Sequence, residues 1–262
     1  MDIIVLVKQV PDTTEMEIDK VTGTLMREKA AAITNPDDLS AIEAALQLKE
    51  KHGGKVTALT MGPPQAKNML RELLAMGCDE GILISDIKFA GADTWATSNT
   101  LVGALKKMNY DLIIAGRQAI DGDTAQVGPQ TAEKLGVPQI TYVIEIQEVT
   151  DKTITVKKMW EKSFEVLQAP LPCLITVLGD MNTPRYMNVG SIWDSFDKEI
   201  RVITAEELNL DASLIGLKGS PTNVKATFVK EVASNCEVHD LPEDEAAQML
   251  FDLLKEKQVI TH

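Results

Sequence analysis

"YDLIIAGRQAIDGDTAQVGPQTAEKLG", residues 110–136, carries the pattern that decides the fold. Residues 112–115 form a wholly apolar run, which reads as a strand covered on both faces. The run feeds a glycine, a polar loop follows, and a helical pattern begins near Pro129. Strand, loop and helix in that order make half of a β–α–β unit.

Working outward from this stretch, the same unit recurs upstream. "IIVLV" (3–7) is another continuous apolar run and reads as a buried strand. "MEIDKVTGTLMRE" (16–28) alternates around Thr22 and Gly23 and reads as an inserted hairpin. "NPDDLSAIEAALQLKEKHGG" (35–54) is a helix, with Asn35 as cap, Pro36 in its first position, Asp37 and Asp38 at the positive end of the dipole and Gly53 as its stop. Strands follow at 55–62 and 80–85 and helices at 63–77 and 93–109. The rhythm predicts an α/β, Rossmann-like parallel sheet wound by right-handed crossovers.

Downstream the period changes. Residues 139–178 alternate polar and apolar with a turn at Thr150–Asp151, which predicts added antiparallel strands ending in an apolar strand at 173–178. Residues 204–240 show little periodicity, and 241–258 form an amphipathic terminal helix. The expected organisation is an α/β domain over 1–200 and a C-terminal arm over 201–262 that wraps a partner chain.

Composition narrows the function. A net charge of −13 argues against binding a phosphate backbone, which needs clustered Lys and Arg. A single nucleotide remains open, because backbone N–H groups can hold it. The three cysteines, Cys78, Cys173 and Cys236, are scattered without a C-x-x-C, which suggests a reducing compartment and no metal cluster. No run reaches membrane-spanning length, so a cytoplasmic protein without membrane insertion is expected.

In an open parallel sheet, ligands gather at the carboxyl ends of the strands. Four stretches lie there: "KQVPD" (8–12), "TMGPP" (60–64), "SDIKFAGADT" (85–94) and "GRQAIDGDTAQVGPQ" (116–130). In the last, Gly122 and Gly128 allow close backbone approach or positive φ, and Gly128 is the expected cap of a helix starting at Pro129. The loop would then aim free amides at one point, the geometry that holds a phosphate. The same residues also serve an ordinary strand–helix turn, and Asn35 to Asp38 serve ordinary capping. His52, His239 and His262 lie far apart, and no nucleophile–base pair or metal motif is present. A nucleotide holder without acid–base machinery suggests a cofactor carrier.

The ordered set "VLVKQVPD" (5–12), "NPDD" (35–38), "TMGPP" (60–64), "AGRQAIDGDTAQVGPQTA" (115–132), "PLPCLITV" (170–177) and "NTPRY" (182–186) resembles the β subunits of electron transfer flavoproteins. The resemblance implies a Rossmann-like fold of the adenine-nucleotide α-hydrolase type and a heterodimer with an α subunit that carries FAD. It places the nucleotide site on Leu6, Asn35, Pro36, Asp37, Asp38, Met61, Asp121, Gly122, Asp123, Thr124, Ala125, Gln126, Val127, Gly128, Pro129, Gln130, Thr131 and Ala132. It also places a loop that docks acyl-CoA dehydrogenases on the segment containing Arg185, Val189 and Trp193. The acidic "NPDD" and the stretch "GADTWATS" (91–98) are similar to electron-bifurcating members from anaerobes. That similarity implies FAD in this subunit, with Asp93, Thr94 and Thr97 facing NADH and ferredoxin or flavodoxin as one electron acceptor. The alternative within the family is a structural AMP and no NADH chemistry.

Overall fold

The computed structural model describes residues 1–12, 31–223 and 238–260, so the hairpin expected at 16–28 lies outside the described residues. The chain divides into a compact unit, Met1–Val224, and a second, Lys225–His262. In the second unit, α7 (Glu243–Glu256) opens on Glu243, Asp244 and Glu245 and carries Lys255 in its last turn, matching the helix dipole.

The first unit is built on a nine-stranded sheet. Its strands are β1 (Asp2–Leu6), β4 (Lys55–Met61), β5 (Glu80–Ile84), β6 (Leu112–Gly116), β7 (Gln139–Val149), β8 (Thr153–Met159), β9 (Phe164–Pro170), β10 (Cys173–Val177) and β11 (Ile200–Ile203). The order is β11-β5-β4-β1-β6-β10-β7-β8-β9. Pairing is parallel from β11 through β7 and antiparallel across β7–β8–β9. The region read as added antiparallel strands is therefore split. β8 and β9 form the antiparallel edge, while β10 enters the parallel sheet between β6 and β7. A separate antiparallel pair, β2 (Gln9–Pro11) with β3 (Ala32–Thr34), follows β1.

β1 shows why its run is apolar throughout. Ile3 and Val5 join one core layer and Ile4 and Leu6 the other, because successive side chains point to opposite faces. α1 (Pro36–His52) and α2 (Ala66–Met76) cover the first layer with Ala41, Ile42, Leu70 and Leu73. α3 (Thr94–Leu105) and α4 (Val127–Leu135) cover the second with Leu101, Ala104 and Ala132.

The compact unit runs past the boundary expected at 200. β11 pairs in register with β5 at the sheet edge, and α6 (Ala205–Leu208) follows it with Ala205 and Leu208 buried. A four-residue strand inside an irregular stretch offers too few residues to show alternation, so only its pairing reveals it. α5 (Val189–Ser195) lies between β10 and β11 in sequence and packs on α2.

Candidate functional site

β1 has β4 on one side and β6 on the other, so successive β–α units leave it in opposite directions. A crevice opens at such a reversal, outside the carboxyl ends of the strands. Here a cleft of about 640 Å³ is lined by Leu6, Val7 and Lys8 after β1, by Leu59 and Met61 of β4, and by Ala115 and Gly116 of β6. That volume lies in the range of small-molecule sites, ~300–1,000 Å³. Residues from all four loop stretches singled out in the sequence reach its wall: Lys8, Met61, Asp93 and Thr94, and the run from Gly122 to Gly128.

The β6–α4 loop is pinned from behind and open in front. Lys8 Nζ holds Asp121 at 2.7 Å, and the Asp123 amide donates to Ala119 O at 2.9 Å. The amides of Thr124, Ala125, Gln126, Val127 and Gly128 donate to no group among the described residues. α4 starts at Val127, not Pro129, and its cap Gln126 makes no side-chain capping bond. The N–H groups of a first helical turn lack intrahelical partners, so they gather a partial positive charge beside the cleft.

The glycines play parts other than those expected. Positive φ falls on Asp123 (53°) and Ala125 (52°), not on Gly122 or Gly128. Gly128 sits inside the first turn of α4, where a Cβ would come 2.7 Å from the Thr176 methyl. It is glycine so that the helix can approach β10. A Cβ on Gly122 would meet nothing within 4 Å among the described residues. Two successive residues near Ala125 with left- and right-handed backbone turn adjacent amides to the same side, a concave anion-binding arrangement.

Asn35 to Asp38 form the back wall. Asn35 is fully buried and makes no cap bond. Its amide donates to Gln118 O at 2.9 Å and its carbonyl oxygen accepts from Ile120 N at 3.1 Å, which ties the far loop to α1. Asp38 accepts from the Lys8 amide (2.8 Å) and the Gly116 amide (3.1 Å), joining the ends of β1 and β6. Burial pushes its carboxyl up to about 7, against those hydrogen bonds and one from Asn35. Asp37 is also raised by burial, which Arg117 opposes. Asp37 Oδ2 and Arg117 Nε face each other at 3.4 Å but are not aligned to bond, so neither buried atom has a hydrogen-bond partner among the described residues. Asp38 lines the cleft; Asn35, Pro36 and Asp37 stand behind it.

The opposite rim belongs to α3. Asp93, Thr94 and Thr97 line the cleft. Asp93 caps α3 by accepting from Ala96 N at 3.0 Å, and it also accepts from the Thr222 hydroxyl at 2.8 Å. Burial raises its pKa, but bonds from Ala96 and Thr222 outweigh this and hold it low. Thr94 Oγ1 donates to Gln126 at 2.8 Å, which bridges the two rims. Gln130 accepts from Ser98 Oγ at 3.0 Å, Thr131 returns its hydroxyl to Val127 O at 2.7 Å, and Ala132 is core. With Pro129 and Asp121, these three stay off the cleft wall.

Arg117, Gln118 and Thr222 line the cleft without having been singled out as individual residues. Arg117 had a signal, a cation placed directly after a strand in an acidic loop. Thr222 had none, because it arrives from an aperiodic segment.

Away from the cleft, Val189 and Trp193 are 85% and 77% exposed on α5. Arg185, by contrast, turns inward to Glu43 and Glu50 of α1. Among the described residues no cluster of His, Cys, Asp and Glu is placed to hold a metal, and no helix is long and apolar enough to cross a membrane.

Comparison with known proteins matches residues 22–208 to the electron transfer flavoprotein domain. The chain is 52% identical over 260 residues to the electron transfer flavoprotein subunit beta of Clostridium acetobutylicum, covering 99% of this chain and 100% of that one. It is 48% identical to subunit CarD of the caffeyl-CoA reductase–Etf complex of Acetobacterium woodii, over 99% and 100% of the two chains. It is 47% identical to the acryloyl-CoA reductase electron transfer subunit gamma of Anaerotignum propionicum, again over 99% and 100%.

Proposed function

The chain belongs to the electron transfer flavoprotein family, among its beta subunits, and from that premise we propose that its cleft holds FAD and takes electrons from NADH. In this reading the chain pairs with an α subunit that carries a second FAD. One electron goes to ferredoxin or flavodoxin, and the other passes through the α-subunit flavin to an acyl-CoA dehydrogenase. The relatives named for caffeyl-CoA and acryloyl-CoA reductase support a CoA-ester partner. We place the complex in the cytoplasm, with NADH and the small electron carriers.

One observation carries the cofactor reading. The unpaired amides of 124–128 share a cleft with an apolar floor of Leu6, Leu59, Met61 and Leu101. The amides suit a phosphate linker, and the floor suits flat rings. Arg117, ion-paired through Nε with Asp37, lines the same cleft and adds a cation beside it. Asp38 faces the same space with both carboxylate oxygens already committed to amides, so it shapes the wall and leaves the anion to the loop. When bound, flavin supplies hydride acceptance and one-electron transfer. The chain binds and orients it, keeps water from its face, and presents Thr94 and Thr97 on the rim where a nicotinamide would enter.

Denaturing the purified heterodimer and quantifying the released nucleotides tests this. Two FAD per heterodimer is the expected result. One FAD and one AMP would replace it with a structural-nucleotide subunit, and no nucleotide beyond the α-subunit FAD would refute a cofactor site here.

A further inference from the structure

The segment that carries Val189 and Trp193 is fastened at both ends. At its start, Asn182 donates to Ser40 O at 3.0 Å. Arg185 then spends its guanidinium on α1. Nε and Nη2 donate to Glu43 at 2.8 and 3.0 Å, and Nη1 and Nη2 donate to Glu50. The Arg185 amide also donates to Glu43, at 3.1 Å. Glu43 is buried, and Gln47 holds its Oε1 at 2.9 Å.

At the far end, Arg71 of α2 donates to the carbonyls of Ser195 and Lys198 and lies 5.5 Å from the centre of the Phe196 ring. Lys198 Nζ reaches Cys78 O at 2.9 Å. Between the two fastenings, Asn188 caps α5 by accepting from Ser191 N at 2.8 Å. Tyr186 is 98% exposed there, alongside Val189 and Trp193.

An apolar strip on an unfastened segment would sample many conformations, and binding would have to order them. Here the ordering is already done within the chain. All three guanidinium nitrogens of Arg185 are taken by carboxylates, which leaves it poorly suited to meet a partner. We propose that Arg185 is a positioning residue of the docking surface and not one of its contacts. With Arg71 it clamps the segment 185–198 onto α1 and α2, so that Tyr186, Val189 and Trp193 face outward before the dehydrogenase arrives. The inference rests on the reading, implied by the family resemblance, that this segment docks the dehydrogenase.

The test uses the heterodimer and its acyl-CoA dehydrogenase, with Arg185→Gln, Arg185→Lys, Val189→Ala and the double variant Arg185→Gln/Val189→Ala. Two quantities are read: KM and kcat for the dehydrogenase, and amide hydrogen exchange of residues 186–194 in the free heterodimer. Arg185→Gln should raise KM about tenfold with kcat and flavin content unchanged, and exchange across the segment should quicken. Arg185→Lys should fail to restore either, because an ammonium cannot bridge two carboxylates as a planar fork does. In the Val189→Ala background the same change should add much less, since the group it positions is gone.

Unaltered exchange in Arg185→Gln overturns the clamp, even if KM rises. Unaltered KM, or a fully multiplicative effect with Val189→Ala, overturns the positioning role. An unaltered KM in Val189→Ala alone removes the docking reading itself, which the exchange measurement does not depend on.

Discussion

Two helix starts meet at this cleft, and they are finished in opposite ways. The start of α1 is closed: Asn35 is bonded to Gln118 and Ile120, and Asp38 to the amides of Lys8 and Gly116. The start of α4 is open: Gln126 provides no cap bond, and the amides behind it find no partner among the described residues. In sequence both are helix beginnings with acids and amides nearby. The difference shows that polar residues at a helix start are not themselves the mark of a ligand site. A site needs donors that the protein has left unpaired, and at α1 they are used to lock the α4 loop in place.

The closed side should be the harder to disturb without loss of fold. Gly116→Ala would set a Cβ 2.3 Å from Asp38 Oδ1 and 2.8 Å from the backbone of Asp37. It should destabilise the chain by about 3 kcal/mol or more in urea unfolding, since neither neighbour can yield cheaply. An unfolding midpoint like that of the wild type would mean that α1 and β6 are not locked as described.

A pH series examines the same lock. The folded Asp38 carboxyl keeps its proton up to about pH 7, against an ordinary value of 3.8. Between those values the folded state binds the extra proton, so this group's contribution to stability is fullest at the acid end and declines as pH rises toward 7. From pH 5 to pH 8 the decline should be about 2–3 kcal/mol, and Asp38→Asn should flatten it. Parallel pH profiles for the two proteins would contradict the burial of an ionisable group there.

On the open side, effects should fall on the guest and spare the fold. Gln126→Glu adds a negative charge where the linker is proposed to sit. About tenfold weaker nucleotide binding is expected by equilibrium titration, with stability within about 0.5 kcal/mol. Gly122→Ala should do least of all. Its Cβ meets nothing within 4 Å among the described residues, so unfolding should move by less than about 0.5 kcal/mol. Any loss of nucleotide affinity in that variant then reports contact with the guest.

How much of this could be read from residues alone follows from the range of each interaction. The β–α rhythm is local, carried by runs such as Ile3–Val7 and by the stop at Gly53, so the parallel sheet was legible. The place of β10 between β6 and β7 was not, because strand order is a long-range choice that a run of apolar residues does not encode. The loop after β6 stood out by composition, yet the roles of its glycines did not. Whether Gly128 is a turn or a packing contact depends on Thr176, far along the chain. Asn35 misled for the same reason, since its partners lie 83 and 85 residues away and its local surroundings spell a cap. Arg185 sits in a segment that reads as a docking loop, and only the structure shows Glu43 and Glu50 taking its guanidinium.

The central claim is that unpaired amides at the start of α4 grip the phosphates of a nucleotide. An experimental density map of the purified heterodimer tests it most directly. The account predicts phosphate oxygens about 3 Å from the backbone nitrogens of residues 124–128, with rings on the apolar floor formed by β1 and β4. A map in which those nitrogens bond to the protein's own side chains, or in which the phosphates rest elsewhere in the subunit, would contradict it.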